Sequence, residues 1–361
     1  MMPIHTLSPA SPTVAVGLSG GVDSSVAALL LKEQGYNVIG VTMKLWQDGK
    51  YKGGARDACF GAGEKEDIAE AEKLAGRLGI EYRVFDMSRH YEDTIVRYFR
   101  ETYLSGKTPN PCVRCNATMK FGLLPRLAEA DGLKFDYFAT GHYARVERGA
   151  DGRMKLLRAK DEAKDQSYFL YRLSQKQLER HIFPLGCMSK TEVRAIARKY
   201  DLAAADKPDS QDFYSGDVDE LIGEAARPGD IVDVNGRKVG THNGFWHYTI
   251  GQRKGLGVAA AEPYYVVDLD ACRNRVVVGS RQDAVKTSLE MEDVNWVSTA
   301  PVEGRIPVRV KVRSGGAPRP GAWLEGNKVE FPAGIQGVAP GQSAVLYSAE
   351  TEELLCGGII K

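Results

Sequence analysis

The chain has 361 residues, 43% apolar and 26% charged, with 48 Lys and Arg against 47 Asp and Glu. That composition predicts a globular chain of two or three domains and excludes a polybasic or strongly acidic tail. Apolar runs such as Val14 to Leu18 and Val26 to Leu31 fall well short of the roughly 18 residues that cross a bilayer, so no membrane span or membrane partner is expected.

Met1 to Pro12 is rich in Ser and Pro and lacks the basic and apolar regions of a secretory signal, so residues 1–12 are expected to be a disordered lead. Without an export signal the six cysteines point to a reducing cytoplasm. Clustered thiols there mean metal or sulfur chemistry. The near-neutral total conceals an asymmetry: residues 101–200 hold 19 basic and 11 acidic side chains, and residues 201–250 hold 4 and 10. The middle third can meet an anionic partner, a solvated helical face being the plainer alternative.

In chain order, Thr13 to Leu18 reads as a buried strand, Val22 to Gln34 as a helix and Tyr36 to Met43 as a second strand. Glu64 to Leu78 carries Ile68, Ala71, Leu74, Ala75 and Leu78 on one helical stripe. Strands follow at Glu81 to Phe85 and Phe135 to Thr140, with two helical segments bracketing a Pro/Asn loop at Ser105 to Pro111. Helices are predicted at Ser174 to His181 and at Ser189 to Tyr200, the latter opened by a Ser189/Glu192 capping box. This alternation predicts an α/β domain over residues 13–215 with a parallel sheet covered on both faces. Beyond about Asp217, short Val-rich runs between Gly-rich turns predict a small β-rich middle domain (216–282) and a terminal barrel or sandwich (283–361).

Between the first strand and helix stands Gly17-Leu18-Ser19-Gly20-Gly21-Val22-Asp23-Ser24-Ser25. Its glycines let the backbone approach an anion, the helix N-terminus adds favourable charge, and Ser19, Ser24 and Ser25 can donate hydroxyl protons to phosphate. It lacks the Gly-Lys-Ser/Thr ending of a Walker loop and the spacing of a dinucleotide fingerprint. The core Ser-Gly-Gly-Val-Asp-Ser resembles the PP-loop of the ATP pyrophosphatases, whose members split ATP between its α and β phosphates. That resemblance implies a PP-loop fold (adenine-nucleotide α-hydrolase-like) and makes Asp23 the residue holding magnesium with the departing pyrophosphate.

A second constellation, Asn110-Pro111-Cys112-Val113-Arg114-Cys115, puts two thiols at C-x-x-C spacing just before a helical stretch, where a helix N-terminus would lower a thiol's pKa. Together with Gly40 to Met43, Ala139 to Arg145, Lys164 to Leu170, Lys207 to Asp212, Tyr248 to Gly257 and Pro340 to Gln342, it resembles the tRNA-uridine 2-sulfurtransferase family over nearly the whole chain. The resemblance implies a C-terminal β-barrel that contacts tRNA and ATP-dependent thiolation of C2 of wobble uridine 34 in tRNAs for Lys, Glu and Gln. Carried over residue by residue, Gly17, Leu18, Ser19, Gly20, Gly21, Val22, Asp23 and Ser24 bind ATP phosphates with Mg2+, and Met43 and Gly141 contact the adenosine. Cys115 is the nucleophile. Asn110, Pro111 and Cys112 lie where the family handles the target base, and His142, Asp165, Gln166, Ser167 and Gln342 at tRNA-contact positions.

Two positions depart from the family. Tyr214 stands where most relatives carry a second catalytic cysteine, and Cys112 where they carry Asp. Cys59, in an expected loop after the second strand, is the compensating candidate, because such loops gather at the carboxyl edge of a parallel sheet. Cys59, Cys112 and Cys115 are then candidate ligands of a 4Fe–4S cluster with one open iron. A Cys112/Cys115 persulfide relay, structural zinc and an inert Cys59 stay open beside it, as does the sulfur donor, a persulfide carrier or free sulfide. Another sulfur transferase or a synthetase for a small carbonyl substrate is the rival activity. Cys187, Cys272 and Cys356 are expected to be structural.

Overall fold

The computed structural model describes residues 11–53, 58–203, 205, 212–214, 216–225 and 227–361. Most of the expected N-terminal lead, and nearly all of the Lys207 to Asp212 stretch, lies outside the described residues. Met1–Tyr91 and Arg114–Gly216 form one compact unit, Glu92–Val113 and Asp217–Lys361 a second.

The strands of the first unit are β1 (Thr13–Gly17), β2 (Asn37–Lys44), β3 (Ala58–Phe60), β4 (Glu81–Asp86), β5 (Tyr137–Ala139), β6 (Ala144–Arg148), β7 (Met154–Arg158), β8 (His181–Ile182) and β9 (Asp212–Tyr214). Five of them build a parallel sheet in the order β4-β2-β1-β5-β8, with Val14 opposite Val38 on one side and Tyr137 on the other. The interior of β1, Val14, Ala15 and Val16, is fully buried, as expected of a strand covered on both faces. Helix α1 (Val22–Glu33) contributes Val22, Val26, Leu29 and Leu31 to that core. Helix α2 (Glu64–Leu78) buries Ala71, Leu74 and Ala75 of its expected stripe and ends on Gly79 at φ 61, the left-handed cap that glycine adopts without a Cβ penalty.

Three features were not read from sequence. β6 and β7 pair as an antiparallel hairpin, and β3 pairs in parallel with β9, Phe60 opposite Tyr214. Cys59 therefore lies on a short strand rather than in a loop. Residues 92–113, expected within the first domain, belong to the second unit because their long-range bonds go there. Arg100 Nε donates to the Leu221 carbonyl at 2.8 Å, and the Thr108 N–H donates to the Pro340 carbonyl at 2.8 Å.

The second unit contains a four-stranded sheet, β10 (Gly229–Asp233), β11 (Lys238–His242), β12 (Tyr265–Asp270) and β13 (Arg275–Gly279), in the order β11-β10-β13-β12. Its last six strands are β14 (Val285–Trp296), β15 (Ile306–Lys311), β16 (Arg319–Leu324), β17 (Lys328–Gln336), β18 (Ser343–Ser348) and β19 (Glu353–Ile360). They pair antiparallel as β14-β17-β16-β15-β18-β19, and β14 closes on β19. This six-stranded barrel encloses Val308, Val310, Trp323, Phe331, Leu346 and Cys356. Closure leaves these strands no free edge to template aggregation. No helix among the described residues is long and apolar enough to cross a membrane.

Candidate functional site

β1 lies between β2 and β5, so the order in which strands are added to this parallel sheet reverses there, and the carboxyl end of β1 is the switch point where open α/β sheets bind ligands. The chain leaves β1 through Gly17 to Gly21 and enters α1. Gly20 has φ +69, and a Cβ on it would lie 2.5 Å from the Asp67 carbonyl oxygen. Only glycine fits. No side chain caps the start of α1, whose N-cap is Gly21. With the helix dipole behind them, its first N–H groups form an anion site.

The hydroxyls of this loop are arranged more narrowly than expected. Ser24 Oγ accepts from the Ser19 N–H at 3.2 Å and donates to the Gly21 carbonyl at 3.1 Å. Ser25 Oγ is likewise turned back onto the Gly21 carbonyl at 2.8 Å. The Ser25 proton is thus used inside the helix, and Ser19, which is exposed, is the hydroxyl best presented outward. Leu18 and Val22 are buried, so they can meet a ligand through backbone alone.

The neighbouring strand ends flank the loop. Met43 is half-buried near the end of β2, opposite Phe85. Gly141 follows β5, and a Cβ there would lie 2.6 Å from both the Asp23 carbonyl carbon and the Ser24 nitrogen. The backbone after β5 therefore packs directly against the start of α1.

Asp23, in the first turn of α1, has two partners that sequence reasoning did not assign to the site. Lys190 Nζ reaches both carboxylate oxygens, at 2.7 and 2.8 Å, and Tyr143 Oη donates to Oδ1 at 2.9 Å. A signal for Lys190 was present: it opens the helix Lys190–Lys199, where the dipole disfavours a cation. For Tyr143 the signal was its place in the Ala139 to Arg145 stretch.

The cysteines depart further from expectation. Cys112 and Cys115 sit in the helical stretch Pro111–Cys115, which continues without a break through Asn116–Leu123 and Leu124–Ala130. Cys112 lies in its first turn, and Cys115 lies just past the turn where the helix dipole acts most strongly. Its side chain keeps some surface, yet burial pushes the thiol up to about 11, Lys120 pulling it down and Cys59 pushing it up in smaller measure. Cys115 and Cys59 are thus near enough for their charges to interact. Cys59 is exposed, while Ala58 and Phe60 on either side of it are buried. Phe60 packs on Trp46 and Tyr91 at 5.1 and 5.0 Å between centroids, and Tyr214 is buried against it. Among the described residues no three His, Cys, Asp or Glu side chains are gathered as a metal-binding set. Cys59, Cys112 and Cys115 are therefore not gathered into such a set here. Cys187 and Cys272 are exposed and Cys356 is buried, where desolvation raises its thiol.

The positions implied for tRNA contact divide by burial. Asp165 and Ser167 are buried and bonded to each other, Ser167 Oγ donating to Asp165 Oδ2 at 3.0 Å, while Asp165 Oδ1 accepts the Ala159 N–H at 3.1 Å. Gln166 Oε1 accepts the Tyr143 N–H at 2.9 Å. These side chains shape the loop instead of presenting charge to a partner. His142 is buried against Phe121, with Thr140 Oγ1 2.7 Å from Nδ1, and burial holds its pKa well below 6.5. Uncharged near neutrality, it can offer a hydrogen bond but no positive charge. In the second unit, Gln342 Nε2 donates to the Pro109 carbonyl at 2.7 Å, and Asn110 Oδ1 accepts from the Val113 N–H at 3.4 Å. The unit therefore brings the loop that ends at Asn110 against Gln342, although Pro109 and Gln342 are 233 residues apart in sequence.

Family profiles cover nearly the whole chain: a tRNA methyl transferase HUP domain over residues 12–214, a tRNA methyl transferase PRC-barrel domain over 218–280 and an aminomethyltransferase beta-barrel domain over 286–360. The tRNA-specific 2-thiouridylase of Endomicrobium trichonymphae is 46% identical over 356 residues, which is 96% of this chain and 98% of that protein. The enzyme of the same name from Xanthobacter autotrophicus is 45% identical over 98% of this chain and 93% of its own length. Among solved structures, a 4-thiouridine synthetase–RNA complex with bound ATP overlaps 58% of this chain and 45% of that chain at 16% identity and TM-score 0.37, a likeness too slight to bear on the chemistry. With its parallel-sheet domain, small middle domain and closed barrel, the chain belongs to the tRNA-specific 2-thiouridylase family.

Proposed function

We propose that the protein uses ATP to replace O2 of wobble uridine 34 by sulfur in tRNAs for Lys, Glu and Gln. The observation that supports this best is the uncapped, glycine-lined start of α1 at the carboxyl end of β1, in a chain so similar to 2-thiouridylases. ATP enters as its magnesium complex. Asp23 suits that ion, which prefers hard oxygen ligands from one or two carboxylates plus substrate phosphates. Uridine O2 attacks the α phosphorus, the bond to the bridging oxygen breaks and pyrophosphate leaves, its charge stabilised by the N–H groups of the loop. A sulfur nucleophile then attacks C2, and AMP departs with the original oxygen. The target base must leave the anticodon stack to be reached.

In this reading Cys115 takes a sulfane sulfur from a persulfide carrier, whose own thiol is released. The terminal sulfur attacks C2, the second thiol then attacks Cys115 Sγ to form a disulfide and leave the sulfur on the base, and a thiol reductant restores both cysteines. The Cys115 thiol, pushed up to about 11 by burial despite the pull of Lys120, is protonated at neutral pH and must give up its proton when it accepts sulfur. The second thiol is Cys112, three residues away on the same helix, or Cys59. Cys59 is favoured by its exposure and by its place beside β9, the strand that carries Tyr214 where relatives have their second cysteine.

The test is pyrophosphate release measured with and without unmodified tRNA, followed by mass spectrometry of the nucleosides. Release that requires tRNA and yields 2-thiouridine at position 34 is expected. Release with a small carbonyl acceptor and no tRNA would overturn the proposal. In the same assay, Cys59→Ser should keep pyrophosphate release and lose thiolation, whereas full thiolation would assign the second thiol elsewhere.

A further inference from the structure

The Lys190–Asp23 pair is unusual in where it is placed. Lys190 is at the first position of its helix, directly after the capping Ser189, so its charge opposes the dipole of its own helix. Its side chain is only 10% exposed, its N–H donates to Asp161 Oδ2 at 2.9 Å, and its ammonium stands 5.8 Å from the centroid of the buried Tyr143 ring. A buried lysine in a dipole-opposed position is costly, and the ion pair offsets only part of that cost. The structure instead aims the ammonium at the mouth of the anion site, where the carboxylate it meets belongs to the phosphate loop itself.

We infer that Lys190 is a phosphate-binding residue of the nucleotide site and that Asp23 is its counter-ion while no nucleotide is bound. When the magnesium complex of a nucleoside triphosphate enters, the carboxylate turns to the metal and the released ammonium to a phosphate oxygen. Each partner exchanges one ionic contact for another, so neither charge is left buried and unpaired. Tyr143, bonded to Asp23 Oδ1, holds the carboxylate near the loop during the exchange. A lysine suits this task, being a compact charge on a flexible stem that can change partners.

This rests on the ATP-splitting step proposed above, and wild-type 2-thiouridine formation tests that step independently. For Lys190 the experiment is calorimetry on the full chain with two probes, α,β-methylene ATP with Mg2+ and Mn2+ alone. Lys190→Met is expected to weaken analogue binding at least about tenfold. It should tighten Mn2+ binding without nucleotide, because Asp23 loses its competitor, so that the two probes shift in opposite directions. Unchanged analogue affinity would overturn the inference. Should Lys190→Met fail to fold, Lys190→Arg keeps the charge beside Asp23. A measurable loss of analogue affinity at unchanged melting temperature supports the exchange, and wild-type affinity defeats it.

Discussion

Two helices of the first unit begin in opposite ways. Lys190–Lys199 is closed by a full capping box: Ser189 Oγ accepts the Glu192 N–H at 3.2 Å, and the Glu192 carboxylate accepts the Ser189 N–H at 2.7 Å. Helix α1 begins on Gly21 with no side-chain cap. A glycine N-cap such as Gly21 gives up only about a few tenths of a kcal/mol against a capping side chain, and it leaves the first N–H groups of α1 open to another partner. The closed start serves folding, and the open one is where the proposed nucleotide would bind. Lys190 links them, since it leaves the closed end and reaches the carboxylate at the open one.

The sharpest way to break the open start is to crowd it. Gly141→Ala puts a Cβ 2.6 Å from the backbone of Asp23 and Ser24, where no flexible side chain can yield. The start of α1 must shift, and a displacement of about 1 Å at a reacting centre costs on the order of 100-fold in rate. Pyrophosphate release should fall by that much in stopped-time assays, with circular dichroism unchanged. A Gly141→Ala enzyme of normal rate would mean that the backbone after β5 does not define the site.

Opening the closed start has a smaller effect of a different kind. Ser189→Ala removes the cap and should cost about 1 kcal/mol, a fall of roughly 2–4 °C in melting temperature for a unit of this size. Analogue affinity should drop only a few-fold, because Lys190 keeps its backbone bond to Asp161. Equal losses in stability and affinity would show that the cap positions Lys190 more tightly than that bond does.

How much of this was legible in sequence follows from the range of the interactions. The bounds of α2 are legible because its apolar stripe is a local signal, and the Ser189/Glu192 box is legible for the same reason. The phosphate loop was legible because its geometry is carried by consecutive glycines. The placement of Lys190 at a helix start was a local signal, but its pairing with Asp23 was not legible, since the two are 167 residues apart. The membership of residues 92–113 in the second unit and the pairing of β3 with β9 rest on equally distant bonds. For the cysteines, the C-x-x-C spacing placed two thiols just before a helical stretch, but it could not show that the helix already includes them or that Cys115 is desolvated. Burial of Asp165 and Ser167 was hidden too, because a short polar run looks the same whether it faces water or itself.

The finest distinction between the two helix starts is their dependence on pH. Glu192 has its pKa lowered, first by the Ser189 N–H and then by the Ser189 hydroxyl, both of which favour its charged form. A carboxylate whose pKa is lower in the folded chain stabilises it above the unfolded value of 4.5, and that contribution is lost as pH falls through the lowered value. Glu192→Gln keeps an acceptor for the box but removes the charge, so wild type should melt slightly higher than the variant at pH 7. The gap should narrow as pH falls below about 4. Melting curves at pH 7, 5 and 3.5 read this directly. A constant gap would mean that the box works through hydrogen-bond geometry alone, and that the charge at this helix start does nothing to offset the misplaced Lys190 beside it.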